Sequence, residues 1–195
     1  MTTIIFAHPW HGSFNKAILD SVIKTLETQE KKYNLIDLNK DQFDPVLKEG
    51  DLKLYSEGQS KDPLVAKYQS FIKNSDQLIF IFPIWWFDVP AILKGFIDKV
   101  MLKHYAYEES ATGIKGSLKY ILRTTVITTS ESPTWYLKFF ANNPIENNFI
   151  KNTLRAIGLK NIKWLNNSET KSGSYRQRVR FLSSIERYFK DSCFF

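Results

Sequence analysis

The sequence predicts an α/β fold: a five-stranded parallel sheet in the order 2-1-3-4-5 with helices on both faces. Three observations predict it. Short apolar runs alternate with amphipathic stretches along the whole 195-residue chain. The strongest run, Gln77–Phe82, is apolar without alternation after its first residue, as a central strand covered on both faces requires. The length suits one domain over residues 1–195, with neither an internal repeat nor a linker. Right-handed crossovers leave few other ways to connect five such units.

The elements follow in order. Thr3–Ala7 is the first strand, and Ser13 can cap a helix whose apolar positions Ile18, Leu19, Val22, Ile23 and Leu26 keep the helical period. Tyr33–Leu38 is a second, weaker strand. Asn39–Ser60 has no periodic signal and reads as a long loop, a type usually functional or mobile. Asp62-Pro63 supplies a cap and first turn for a helix with Val65, Tyr68, Phe71 and Ile72 on one face. After the third strand, Gln77–Phe82, Pro90 opens the clearest helix, striped by Leu93, Phe96, Ile97, Val100 and Met101. Arg123–Thr129 is the fourth strand. Asn143-Pro144-Ile145-Glu146 resembles a capping box, with Gly158 as the stop. Ile162–Leu165 is the fifth strand, and a last helix runs from about Ser174 to about Lys190.

Composition narrows the class. Apolar residues make up 43% and charged residues 24%, with eight glycines and seven prolines, which excludes collagen-like, low-complexity and disordered chains. The longest apolar run, Leu78 to Phe87, is short and carries a proline, so no membrane insertion is expected. The first residues have no charged leader and read as a strand instead of a signal peptide. The single cysteine, Cys193, has no internal disulfide partner, which fits a reducing cytoplasm. Net charge is +7, and the densest basic group is Lys171, Arg176, Arg178 and Arg180. It reads as a solvated helix face, with no nucleic-acid module around it. An anionic small molecule such as a dinucleotide would also suit that field.

In an open parallel sheet, ligands bind at the carboxyl ends of the strands, beside the reversal of strand order. The loops expected there are His8–Asn15, Pro83–Val89 and Ser130–Asn143. The first, His-Pro-Trp-His-Gly-Ser-Phe-Asn, runs into a helix N-terminus, where free N–H groups and the dipole favour a phosphate. It lacks the spacing of both glycine-rich nucleotide motifs. Ser13 fits a helix cap and a phosphate contact equally, His8 fits a hydrogen-bonded structural residue, and His11 fits either role. The second loop sets three aromatics, Trp85, Trp86 and Phe87, just past the best strand. Alternate residues of an extended segment face opposite ways, so at least one should face the crevice and stack on a flat ligand. The third carries Trp135 and Tyr136, with Phe139 and Phe140 behind, consistent with a planar ligand or a subunit interface. Three histidines (His8, His11, His104) and one cysteine lack metal-ligand spacing, and no nucleophile elbow is present, so metal and hydrolytic chemistry are not expected.

Ala-His-Pro at 7–9, Ser-Phe-Asn at 13–15 and Phe-Pro-Ile-Trp-Trp-Phe-Asp-Val-Pro-Ala-Ile-Leu-Lys-Gly at 82–95 resemble the NAD(P)H:quinone oxidoreductase (DT-diaphorase) family of flavodoxin-like flavoproteins. The resemblance covers residues 3–107 well, including the aromatic Tyr105-Ala-Tyr107, and the remainder loosely. Thr128-Thr129-Ser130-Glu131-Ser132-Pro133-Thr134-Trp135-Tyr136 is similar to the corresponding loop of small bacterial members.

This resemblance implies a bound flavin, reduced by NADH or NADPH, that then reduces a quinone or related acceptor. It implies that His8, Ser13, Phe14 and Asn15 hold phosphates, while Pro83, Ile84, Trp85, Trp86 and Phe87 wrap the isoalloxazine with their backbone amides at its polar edge. Thr128, Thr129, Ser130 and Glu131 form the fourth-strand loop beside it. Gln69 aligns with a glutamine near the flavin adenine, favouring FAD over FMN. Trp86 and Tyr136 are the implied catalytic groups; Phe87, Trp135 and, from the partner of a homodimer, Tyr107 would meet the acceptor. The family loop usually reads Thr-Thr-Gly-Gly, so Ser130 and Glu131 depart from it, and a carboxylate facing the ring would oppose its reduction. Asn142 stands near the place of a histidine of the animal enzymes. The neighbouring possibilities are an azo- or nitro-reductase, a flavin-binding regulatory subunit of a membrane transporter, and a nucleic-acid binder motivated by charge alone.

Overall fold

The computed structural model describes residues 1–111 and 113–191; Cys193 lies outside the described residues. Five parallel strands form the central sheet: β1 (Thr2–Phe6), β2 (Tyr33–Asp37), β3 (Gln77–Pro83), β6 (Arg123–Thr129) and β7 (Ile162–Asn167). Their spatial order is β2-β1-β3-β6-β7. The strands β4 (Tyr107–Ser110) and β5 (Gly113–Gly116) form a separate antiparallel hairpin, absent from the sequence-based expectation. Leaving that hairpin aside, the five sheet strands follow the expected order.

The apolar run of β3 has a direct cause. Leu78, Phe80 and Phe82 pack into one core and Ile79 and Ile81 into another, on opposite faces of the sheet. The central strand therefore shows no polar alternation. The first core receives α3 (Pro63–Lys73), α4 (Ala91–Val100) and the helix Ile145–Leu154. There Phe149 meets Phe80 and Phe82 edge-on, with ring centroids 5.5 and 5.3 Å away; losing either β3 ring would cost on the order of 3–5 kcal/mol. The second core receives α1 (Phe14–Thr28) and the terminal helix α6 (Tyr175–Asp191).

Two further elements differ from expectation. The helix Ile145–Leu154 is wound as a π-helix, with Arg155 N–H donating to the Ile150 carbonyl, and the capping box does not form: Asn143 has φ 46° and its Oδ1 is buried without a partner. A short helix, α2 (Glu49–Tyr55), interrupts the expected loop; it buries no residue, so it carries no apolar stripe to read. A buried cation on α4 secures this region. Lys99 Nζ donates to the Asp44 carbonyl at 2.9 Å and stands 3.5 Å from Asp62 and 3.9 Å from Asp51.

The connection after β1 crosses to one face through α1, and the connection after β3 crosses to the other through α4. The chain thus parts at the carboxyl ends of adjacent strands, which opens a crevice there.

Candidate active site

The crevice has a volume of about 370 Å³. A larger cleft of about 900 Å³ lies at the amino-terminal edge of the sheet, lined by residues that follow the carboxyl ends of α1 and α3, such as Lys32 and Asp76. Helix dipoles present their negative ends there, so an anionic ligand is favoured at the smaller crevice.

The loop after β1 supplies one wall. Ser13 is extended (φ −81°, ψ 161°) and its Oγ accepts from the Lys16 N–H at 3.2 Å, so the capping role is filled. The first N–H groups of α1 have no acceptor inside the helix, and Ser13, Phe14 and Asn15 all face the crevice. Asn15 is 3% exposed. Its Nδ2 donates to Thr129 Oγ1 at 2.9 Å, while its Oδ1 is buried without a protein partner. With the amide turned over, the Thr129 hydroxyl donates to Oδ1 and the NH₂ becomes the spare group. Either orientation leaves a buried polar atom that a ligand can satisfy.

His8 also lines this wall, with Trp85 edge-on to its ring at 6.0 Å. Burial pushes its imidazole below the ordinary value, and His11 adds in the same direction. The Trp10 N–H donates to His8 Nδ1 at 3.1 Å, which leaves the proton of the neutral ring on Nε2. His11 Nε2 lies 2.9 Å from the buried Asp37 carboxylate, where it latches the loop to the end of β2.

The loop after β3 is a tight turn. Pro83, Ile84 and Trp85 line the crevice. Ile84 N–H donates to the Thr129 carbonyl at 2.8 Å, and Trp85 and Asp88 bond each other's backbones. The Ile84 and Trp85 N–H groups are therefore engaged by the protein itself, and within Pro83–Phe87 only the apex N–H groups of Trp86 and Phe87 remain for a ring edge. Trp86 and Phe87 both sit at positive φ, 51° and 62°, and Trp86 is 96% exposed.

Thr129, Ser130 and Glu131 complete the wall from β6. Thr128 does not join them. It is fully buried, and its hydroxyl donates to Asn166 Oδ1 at 2.7 Å and accepts from Trp164 Nε1 at 2.8 Å, which fixes the sheet beneath the loop. Glu131 turns its carboxylate to the Lys171 N–H at 2.8 Å. Gln69 is not at the crevice either, because its Nε2 donates to the Val100 carbonyl at 2.9 Å between α3 and α4. Tyr107 packs against the first core from the hairpin. Trp135 and Tyr136 stand on α5 (Thr134–Phe139), outside the crevice lining, where Tyr136 stacks on Phe140 at 6.0 Å and Trp135 meets both edge-on.

Thr170, Lys171 and Arg178 also line the crevice. The sequence reading placed Lys171 and Arg178 on a solvated helix face; the correction follows from the loop after β7, which folds back onto the β6 loop. Thr170 N–H donates to the Ser130 carbonyl at 3.1 Å, bringing both cations to the crevice. Their available signal was position: Arg178 lies in the first turn of the helix that follows the last strand, at the same sheet edge. Among the described residues, no cluster of metal-ligating side chains is present.

The model of the flavodoxin-like fold family matches residues 1–185. The chain belongs to this family. The flavodoxin-like chain is similar, at 28% identity over 164 residues, to an uncharacterized NAD(P)H oxidoreductase of Haemophilus influenzae, covering 83% of this chain and 80% of that one. It is similar at 31% over 153 residues to the NAD(P)H dehydrogenase [quinone] 1 of Cavia porcellus, covering 68% of this chain but only 54% of the longer relative. The crystal structure of Smu.1420 from Streptococcus mutans superposes with a TM-score of 0.84 at 30% identity, covering 97% of this chain and 98% of that one.

Proposed function

We propose that the chain, as one domain over residues 1–195, is an NAD(P)H oxidoreductase that holds a flavin in this crevice and reduces quinones or similar flat aromatic acceptors by ping-pong hydride transfer. The observation that carries this reading is the Trp86-Phe87 turn. Two bulky aromatics at positive φ cost roughly 1–3 kcal/mol each. Trp86, almost wholly exposed, offsets none of that by core packing. Strain of this kind persists where a ligand uses it, and a planar ring laid on the turn would cover both side chains and accept from their N–H groups.

When bound, the flavin accepts hydride from the nicotinamide and passes it to the acceptor. The α1 N-terminus, the Ser13 hydroxyl, Asn15, His8 Nε2–H, Lys171 and Arg178 form the matching anion site for its phosphate. The apex N–H groups would stabilise the charge that develops at the ring edge. Trp135 and Tyr136 would wall the acceptor side, where aromatic surfaces exclude water and tolerate several flat substrates. FMN satisfies every one of these contacts. FAD requires an adenine contact besides Gln69, whose amide is engaged with Val100.

The relatives' names support the redox class: both are NAD(P)H enzymes, one of them acting on quinone. The exposed cluster of Trp135, Phe139 and Phe140 supports a homodimer that covers it, with Tyr107 of a second copy reaching the site. No helix among the described residues is long and apolar enough to cross a membrane, and we place the reaction in the cytoplasm, where its nicotinamide reductant is made.

Steady-state assays test the reading. For protein stripped of bound flavin and assayed without oxygen, NADH or NADPH oxidation should require both added flavin and a quinone, with parallel double-reciprocal lines as the quinone is varied. Oxidation independent of flavin would refute it.

A further inference from the structure

The loop after β7 is tied down on two sides. Toward α6, Arg178 Nη1 donates to the Thr170 and Gly173 carbonyls at 3.1 and 2.8 Å, and Gln177 Nε2 donates to the Ser168 carbonyl at 3.1 Å. Toward β6, Thr170 N–H reaches the Ser130 carbonyl and Lys171 N–H reaches the Glu131 carboxylate at 2.8 Å. Glu131 is thus the only side chain of the β6 loop whose charge is spent on this second loop among the bonds of its described residues.

We infer that Glu131 is a positioning residue for the anionic end of the ligand: its carboxylate fixes the Lys171 backbone and, through that loop, the two cations that line the crevice. This inference rests on the flavin reading above. A carboxylate on a phosphate site would by itself repel the ligand. Bonded to a backbone N–H, it holds Lys171 and the Arg178-anchored loop beside the α1 N-terminus, so positive charge is preorganised where the phosphate arrives. A glycine at this position would leave the Lys171 N–H without that acceptor. The fold then retains Thr170 to Ser130 as the remaining tie between the two loops.

The test compares ligands that differ in phosphate. Wild type, Glu131→Gly and Glu131→Gln, each freed of bound small molecules, are titrated with FMN, FAD and riboflavin by flavin fluorescence, alongside thermal melts without ligand. Glu131→Gly should weaken FMN or FAD by about tenfold, the worth of one charge-assisted hydrogen bond, and riboflavin by less than about twofold. Glu131→Gln, whose amide oxygen still accepts from Lys171 N–H, should recover most of the loss. Equal weakening of riboflavin, or phosphate-bearing flavins bound as tightly or more tightly by Glu131→Gly, would overturn the inference. A wild type that binds none of the three would overturn the flavin reading and the inference with it.

Discussion

Trp85 and Asp88 exchange both of their backbone hydrogen bonds, N–H to carbonyl at 3.0 Å in each direction. The enclosed Trp86 and Phe87 therefore hold the two central positions of a type I′ turn, both at positive φ. Asn-Gly is the pair that suits this geometry best. Two large aromatics in its place trade stability for a flat, exposed surface next to the crevice.

Replacing the pair should separate the two properties. The double variant Trp86→Asn, Phe87→Gly should raise the melting temperature by about 2–4 °C, the equivalent of about 1 kcal/mol in a chain of this size. The same variant should lose flavin retention and turnover. Calorimetry and a flavin titration check the two effects separately, and a drop in melting temperature would show that Trp86 and Phe87 support the fold.

Ser13 offers a second separation, between cap and ligand contact. Its Oγ accepts from the Lys16 N–H. A glycine cap costs only a few tenths of a kcal/mol, so Ser13→Gly should leave unfolding by urea nearly unchanged. Its flavin affinity should still fall severalfold, because the hydroxyl that faces the crevice is lost. Unchanged affinity would leave Ser13 as a cap alone.

His8 gives a pH dependence with a definite sign. Burial holds its folded-state value below the usual histidine range. As pH falls through about 6.5, the unfolded chain takes up a proton that the folded protein does not. Stability present above about pH 6.5 is therefore lost on acidification, until the lowered folded value is passed and the loss stops growing. His8→Asn keeps an acceptor for the Trp10 N–H and does not titrate. Melting curves at about pH 7.5 and about pH 5 should differ less for this variant than for wild type.

The aromatic cluster on α5 predicts association. Phe139 and Phe140 are 78% and 71% exposed, and the Phe140 ring adjoins Trp135 and Tyr136. Phe139→Asp with Phe140→Asp should convert a dimer to a monomer in light scattering after size exclusion, with little change in the melt of the monomer core. A monomeric wild type would contradict the covered interface.

Much of the fold was legible because burial writes itself into sequence. β1, β3 and β6 are covered on both faces, so their residues are almost uniformly apolar or threonine. α2 buries nothing and the hairpin strands are largely exposed, so neither has a pattern to find. The π winding of Ile145–Leu154 is also silent, since Ile145, Phe149 and Ile150 fit an α-helical stripe equally well. The walls of the site were legible because topology dictates which loops meet. Lys171 and Arg178 were not, because their place depends on a tertiary bond, Thr170 to Ser130, that local sequence does not encode. For Gln69, expected near an adenine, the side-chain amide donates to the Val100 carbonyl between α3 and α4, a contact that local sequence does not encode either.

A flavin held in this crevice should cycle between nicotinamide and acceptor. The most direct measurement is the visible spectrum of the flavin-loaded protein without oxygen, followed through addition of NADH or NADPH and then of a quinone. The oxidised flavin bands should bleach with the nicotinamide and return with the quinone. A bound flavin that neither nicotinamide reduces would contradict the oxidoreductase reading, and a protein that takes up neither FMN nor FAD would contradict the site itself.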